Sequence, residues 1–554
     1  MSGGHAKWVG FIPVAVVLAA GIVLVTAQAP GQGAMPPRFP IVRDWSHRYL
    51  AYGARSFRAA TLSQLQRDPR LAAAWVQRNV IGALASASAP GRQPWRRNSL
   101  TLKCDWAVSL GNVDTSTPVP KEHFPAMWGA SFTDPDCDKD FVVFGIRAGQ
   151  ATGQANIVAF NNLYAGCSGT IPTTMWAYYV GGGGATPDVV RTSPVLSLDG
   201  KEVAFVENRD KGNSSWFHVL KWEAGQGTIS NPATPGSGGS SVRSVQYSTE
   251  GNRRSSPFVD YWNNVAFVGA NDGRLYAIGP VFNTADQLKV LGQVTVNSSR
   301  VLSSPVMDPG ANRIFVSDGN TLYCYSYGGS FSLAGSYSIG TTDTEAVQDA
   351  ALVDVDRQRV FWFARSSSST ALVIETDYNC GSVKTASIGQ NSATVIRAGA
   401  FDDNHYSGNG GQLHVCGKAS DSDQPRLYTF GFFQSGNEWV WNNSTYYVNT
   451  IATTAGECSP LTTFKSLDQD RLFLGFSGTN QVQMWNIPIS GSSDAPDATA
   501  GPYNGGSAGI IVDNRSSTAE ANNIYFQTAL ASSACAENGI SKVCAVKLTQ
   551  SGLQ

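Results

Sequence analysis

The sequence is short of charge. Asp, Glu, Lys and Arg make up 15% of its 554 residues, against a usual share of about 25%. Histidine is scarce, at six, and the nine cysteines include no Cys-x-x-Cys pair and no two adjacent residues. There is no His-Glu-x-x-His string and no Walker loop. These gaps remove thioredoxin-like redox chemistry, a tetrathiolate zinc site, the zincin helix and the P-loop. Disorder is excluded too, because 42% hydrophobic residues, with 10% aromatic, are ordinary for a packed core.

What is abundant is glycine, at 57 residues. Low charge with much Gly, Ser, Thr and Asn fits many short strands joined by tight turns. The charge that exists is unevenly placed. Residues 36–104 hold eleven Arg and one Lys against Asp44 and Asp68, a net of +10, and the body that follows is acidic. Such a basic region either meets phospholipid head groups or a polyanion, or docks on its own acidic domain. Upstream, Trp8 to Ala27 is a 20-residue apolar stretch preceded by Lys7 and followed by Pro30. It reads as a signal peptide over residues 1–29 or as an uncleaved membrane anchor through residues 8–27. Either form exports the rest, to the periplasm, the cell surface or the medium.

Export places the cysteines where disulfides persist. Cys137 and Cys167 flank one predicted hairpin and Cys535 and Cys544 another, so each is a candidate pair. Cys324 and Cys416 fall within strand patterns and are expected to be buried small hydrophobes. An odd count leaves at least one thiol unpaired.

Residues 30–101 form a basic extension and linker. Thr61 with Gln64 resembles a capping box, and Asp68-Pro69 an N-cap with proline at the first helical position. From residue 102 the period becomes two. A small residue and a proline open an apolar strand, a turn follows, and two more strands flank a Gly-centred turn. Copies begin at Met127, Ser193, Ser256, Ser304, Asp349, Arg397, Ser459 and Ser507. Asp260, Asp308, Asp354 and Asp402 recur about once per copy. A period near 47 residues is that of one four-stranded blade. The fold is therefore all-β, an eight-bladed β-propeller over 102–554, with seven blades as the alternative. A short helical extension precedes it. The last copy lacks an outer strand, and the strand at 104–112 is expected to close the ring by supplying it.

The repeat resembles the quinoprotein-like (PQQ-like) β-propellers, notably at NDGRLYAI (271–278) and SDGNTLYCY (317–325). DFVVF (140–144), NIVAFNNLYAGC (156–167) and TSPVLSLDGKEVAFV (192–206) are similar to uncharacterised secreted bacterial propellers. That resemblance implies either quinone-dependent dehydrogenases or non-enzymatic envelope scaffolds. The enzymatic branch carries a vicinal disulfide and an AxDxxTGxxxW motif, and this chain has neither, so no cofactor is expected.

Two groups of residues remain as sites. Asp134, Asp136 and Asp138 alternate as in a calcium loop, but Lys139 stands where that loop needs Gly; a turn is the competing reading. Arg191, Arg254, Arg300 and Arg397 each stand just before an inner strand, with Glu457 and Glu345 at comparable places. They either converge on a channel rim that binds an anionic group or tie neighbouring blades through ion pairs. No acid, base and nucleophile set is legible. The expected function is a non-catalytic scaffold that binds a protein or glycan through the channel rim, with no nucleic-acid role. A channel-based oxidoreductase or lyase and a membrane-anchored surface component are the alternatives.

Overall fold

The computed structural model describes residues 40–77, 101–112, 118–132, 135–147, 153–182, 188–209, 213–341, 343–365, 370–390, 394–466, 469–514 and 522–551. The apolar stretch at 8–27, most of the linker and Asp134 lie outside them. Eight sheets follow one another around a ring. The strands lining the channel are Ala126–Gly129, Val195–Leu196, Phe258–Asp260, Val306–Asp308, Leu352–Asp354, Ala400–Phe401, Thr462–Ser466 and Ile511–Asn514, which number blades 1 to 8. The chain is an eight-bladed propeller. Within the described residues no helix is long and apolar enough to cross a membrane.

In blade 3 alternation holds only at the rim. The outer strand Lys289–Thr295 of blade 3 alternates exposed and half-buried residues, whereas Val265–Gly269, one strand in from the channel, is buried throughout. A strand sandwiched between two neighbouring blades faces apolar side chains on both sides, so it reads as a continuous run. The periodic aspartates serve the backbone. Asp260, Asp308 and Asp402 accept main-chain N–H groups two or three residues on, and Asp354 does so from Arg357. Each thus fixes the turn leaving its inner strand.

The serines before the prolines link blade to blade. The Ser193 amide donates to Ser256 Oγ at 2.9 Å, and the Ser256 amide to Ser304 Oγ at 2.8 Å. Blade 8 receives its fourth strand from Thr101–Ser109, which pairs antiparallel with Cys544–Ser551. Four disulfides are present. Cys137 bonds Cys167, and Cys535 bonds Cys544. Cys324 and Cys416 are not the unbonded hydrophobes expected of them. They bond Cys380 and Cys458, which belong to the next blade in each case. Blade-to-blade packing brings together cysteines 56 and 42 residues apart, a proximity that strand pattern alone does not reveal. Cys104 is free and exposed.

Candidate functional site: a channel filled from one end and charged at the other

A ring of inner strands has an inward edge of unpaired N–H and C=O groups, which must find partners or water. Here the basic segment 41–77 supplies them. β1 (Ile41–Arg43) adds antiparallel to the inner strand of blade 1, and β2 (Leu50–Ala51) adds parallel to that of blade 5. Between them α1 (Ser46–Tyr49) crosses the channel. Elsewhere arginine replaces a strand. Arg48 donates to the carbonyls of Ala398 (2.9 Å), Gly399 (2.8 Å) and Leu461, and Arg70 to that of Val259 (2.8 Å). The guanidinium's five donors suit scattered acceptors, which explains the arginine-rich composition of the segment. Of the two expectations for this basic region, the structure shows it seated in its own propeller.

Aromatic packing completes the filling. The Trp45 indole N–H donates to the Pro257 carbonyl at 3.0 Å, and its ring meets Phe258 edge-on. Below lie α2 (Ala54–Ala59), α3 (Leu62–Arg67) and α4 (Pro69–Val76). The Asp356 carboxylate of blade 5 accepts the amides of Arg55 and Ser56, so the propeller itself caps α2. Gly53 keeps this approach open, since a Cβ would stand 2.6 Å from an Asp356 oxygen. Thr61 and Gln64 form the reciprocal capping box of α3. Asp68 caps α4 and pairs with Arg70 at 2.9 Å, and both are buried. A cavity of about 110 Å³ remains against blades 6 to 8, lined in part by Arg43, His47, Arg48, Asp403, Lys465 and Asp470. Burial pushes the Asp470 carboxyl up to about 7, with Asp402 and Asp403 adding to the effect.

The other end of the channel is where the chain enters its inner strands, and there two of the arginines singled out from the sequence, Arg254 and Arg397, both act on Glu122. Arg397 is forked between Glu457 (2.6 Å) and Glu122. Burial opposes the charge of Arg397, but these two carboxylates outweigh it and raise its affinity for the proton. Glu122 is itself pushed up by burial, against the pull of Arg397. Arg254 pairs with Glu345 at 2.9 Å, and Arg365 bonds Asp343 at 2.8 Å. Lys121, buried against the Gly505 and Ser507 carbonyls, is lowered to about 8 by burial. Arg191 is half-buried at the equivalent place in blade 2. Arg300 is half-buried as well, and its guanidinium makes no hydrogen bond or ion pair with the described residues. Asp349 joins the two ends, accepting Tyr49 Oη at 2.7 Å and the Ala398 amide at 2.9 Å.

Sequence reasoning missed Glu122 although it stands four residues before the inner strand of blade 1, as Arg254 does before that of blade 3, and it missed Asp343, Asp349 and Arg365 because they lie outside the repeat position that was compared. It also passed over Gly505–Gly509, a Gly-x-Ser-x-Gly string. Ser507 there is wholly buried and leads into a channel strand, not a strand-to-helix turn. Asp136 accepts Lys139 Nζ at 2.8 Å and the amides of Asp138 and Lys139, the bonding of a closed turn.

No family model and no curated protein matches the chain. Solved structures similar to it include Chaetomium thermophilum Sqt1 at 10% identity, covering 82% of this chain and 96% of that one, with a TM-score of 0.46. The same protein bound to the N-terminus of ribosomal protein L10 is similar at 9% identity, 78% and 94% coverage and a TM-score of 0.45. BamB from Moraxella catarrhalis is similar at 12% identity, 65% and 98% coverage and a TM-score of 0.32. The blade count rests on the strand pairing described above.

Proposed function

We propose that the protein is an exported propeller whose channel is non-catalytic and whose charged mouth, built from Arg191, Arg254, Arg300, Arg397 and Glu457, recognises a protein or glycan. The observation that carries this reading is the filled channel. Trp45, Tyr49 and Arg48 occupy the axis where a channel enzyme would need room for a substrate or a planar cofactor. At the mouth Arg254 and Arg397 are buried, Glu457 keeps 26% of its side-chain exposure and Glu345 40%, and Arg300 is without a partner among the described residues. An unpaired guanidinium offers its forked donors to a carboxylate or sulfate. Four disulfides support an oxidising compartment.

The test is binding of the full-length protein to a panel of acidic and neutral oligosaccharides and envelope proteins, repeated with Arg300→Ala and Arg254→Ala. Loss of about tenfold or more in affinity with Arg300→Ala supports the reading, since one charge-assisted bond is worth about 1.5–3 kcal/mol. Binding that ignores both substitutions contradicts it.

A further inference from the structure

Blade 2 brings together three side chains that nothing in the sequence marks as a set. Glu207 lies on the strand Glu202–Arg209, His218 on Ser214–Lys221 and Ser244 on Ser241–Ser248. His218 is directly opposite Ser244 on one side, while on the other Trp216 is opposite Glu207. Because side chains two residues apart share a face, all three point to the same side of the sheet. His218 Nδ1 is 2.7 Å from Ser244 Oγ, and its Nε2 is 2.6 Å from Glu207 Oε2. Arg209 Nε holds the same carboxylate oxygen at 2.8 Å. His218 and Glu207 have no solvent exposure, whereas Ser244 is exposed.

The order of these bonds fixes the proton. A carboxylate only accepts, so Nε2 carries the hydrogen and Nδ1 is left to accept from the serine hydroxyl. That is the arrangement of a general base oriented by an acid and aimed at a hydroxyl nucleophile. A groove of about 430 Å³ opens one rung away, lined by Asp188, Arg209, Asn213, Trp216 and Gln246. Trp216 and Gln246 are the cross-strand pair next to His218 and Ser244 on the same face, about 6.5–7 Å along the strands. The Arg209 guanidinium lies 4.0 Å from the centre of the Trp216 ring and flanks the groove.

We propose that Ser244, His218 and Glu207 form a nucleophilic site on blade 2 that accepts the acyl group of a carboxylic ester bound in the adjoining groove. Ser244 Oγ bonds to the ester carbonyl carbon while its proton passes to His218 Nδ1. The tetrahedral intermediate collapses with cleavage of the carbon–oxygen bond, and the leaving alkoxide takes that proton. Water then attacks the acyl-serine, giving its proton to His218 and thence to Ser244 Oγ, and the carboxylic acid departs. Burial lowers the imidazole below its usual value, although Glu207 works against this, which favours the neutral base.

The site is independent of the channel mouth, and its test is too. Full-length protein is treated with a fluorophosphonate and mapped by peptide mass. The expected result is one dominant adduct on Ser244. His218→Gln should slow labelling by about a hundredfold or more. Since a buried substitution can impair folding, Ser244→Ala, at an exposed position, is compared with the parent for hydrolysis of p-nitrophenyl acetate and should lose the serine-dependent rate. No adduct on Ser244, labelling indifferent to a folded His218→Gln, or equal ester hydrolysis by parent and Ser244→Ala would each overturn the assignment.

Discussion

The two ends of the channel solve the same problem by different means. Both must satisfy polar groups withdrawn from water. At the end filled by residues 41–77 the partners are main-chain carbonyls, apolar walls and the carboxylates of Asp68 and Asp356. Arg70 is buried beside Asp68 and lies 4.2 Å from the centre of the Phe258 ring. At the mouth the partners are carboxylates, several of them still touching solvent. The first end is a piece of core that happens to come from a distant part of the chain. The second is a set of charges whose pairing can be rearranged. Stability should therefore concentrate at the filled end and adaptability at the mouth.

Substitutions can sharpen or break that contrast. The largest effect is expected from Arg70→Ala, which leaves Asp68 buried without its guanidinium and should cost about 3–5 kcal/mol in denaturant unfolding. Arg397→Ala at the mouth should cost less, about 2–3 kcal/mol, and its cost should depend on pH. Glu122 is already raised by burial with Arg397 present, and removing Arg397 raises it further. A carboxyl raised above its unfolded value keeps its stabilising contribution at low pH and loses it as pH climbs through the folded value. The deficit of Arg397→Ala in urea unfolding should thus grow as pH rises. A deficit that stays constant with pH would place the loss in packing instead.

Asp470 gives a smaller effect of the opposite sign at the filled end. With its carboxyl up at about 7, the parent should lose stability as pH rises from about 4 through 7. Asp470→Asn keeps an oxygen for the Asp403 amide and should remove that slope. It should gain about 1–3 kcal/mol at pH 8, since a tenfold change in proton affinity corresponds to about 1.4 kcal/mol. The smallest effect is reserved for Arg300→Ala. With no partner among the described residues to lose, it should move the unfolding free energy by no more than about 0.5 kcal/mol, which leaves it free to report on binding alone.

The repeat was legible because each blade states it again. The Ser-Pro entries, the turn-fixing aspartates and the Gly-centred turns are local patterns, and eight copies correspond to eight inner strands. The filling of the channel was not legible beyond a count of arginines. Trp45 meets Pro257 across 212 residues and Arg48 meets Leu461 across 413, distances over which sequence carries no register. The mouth was half legible. Comparing repeats found Arg254, Arg397 and Glu457, but blade 1 carries the opposite charge, Glu122, at the position of Arg254, and Asp343 lies outside the compared position. Ser244, His218 and Glu207 were invisible for a third reason. Each sits in an ordinary strand, and only the pairing of three strands puts them in line.

The central claim is that residues 41–52 belong to the channel as much as the inner strands do. Hydrogen exchange on the full-length protein tests it residue by residue. The amides of Val42, Leu50 and Ala51 should exchange as slowly as those of Val259 and Val353, because all of them open only when the ring does. Exchange of residues 41–52 at the rate of an open chain, while the blades stay protected, would contradict the account.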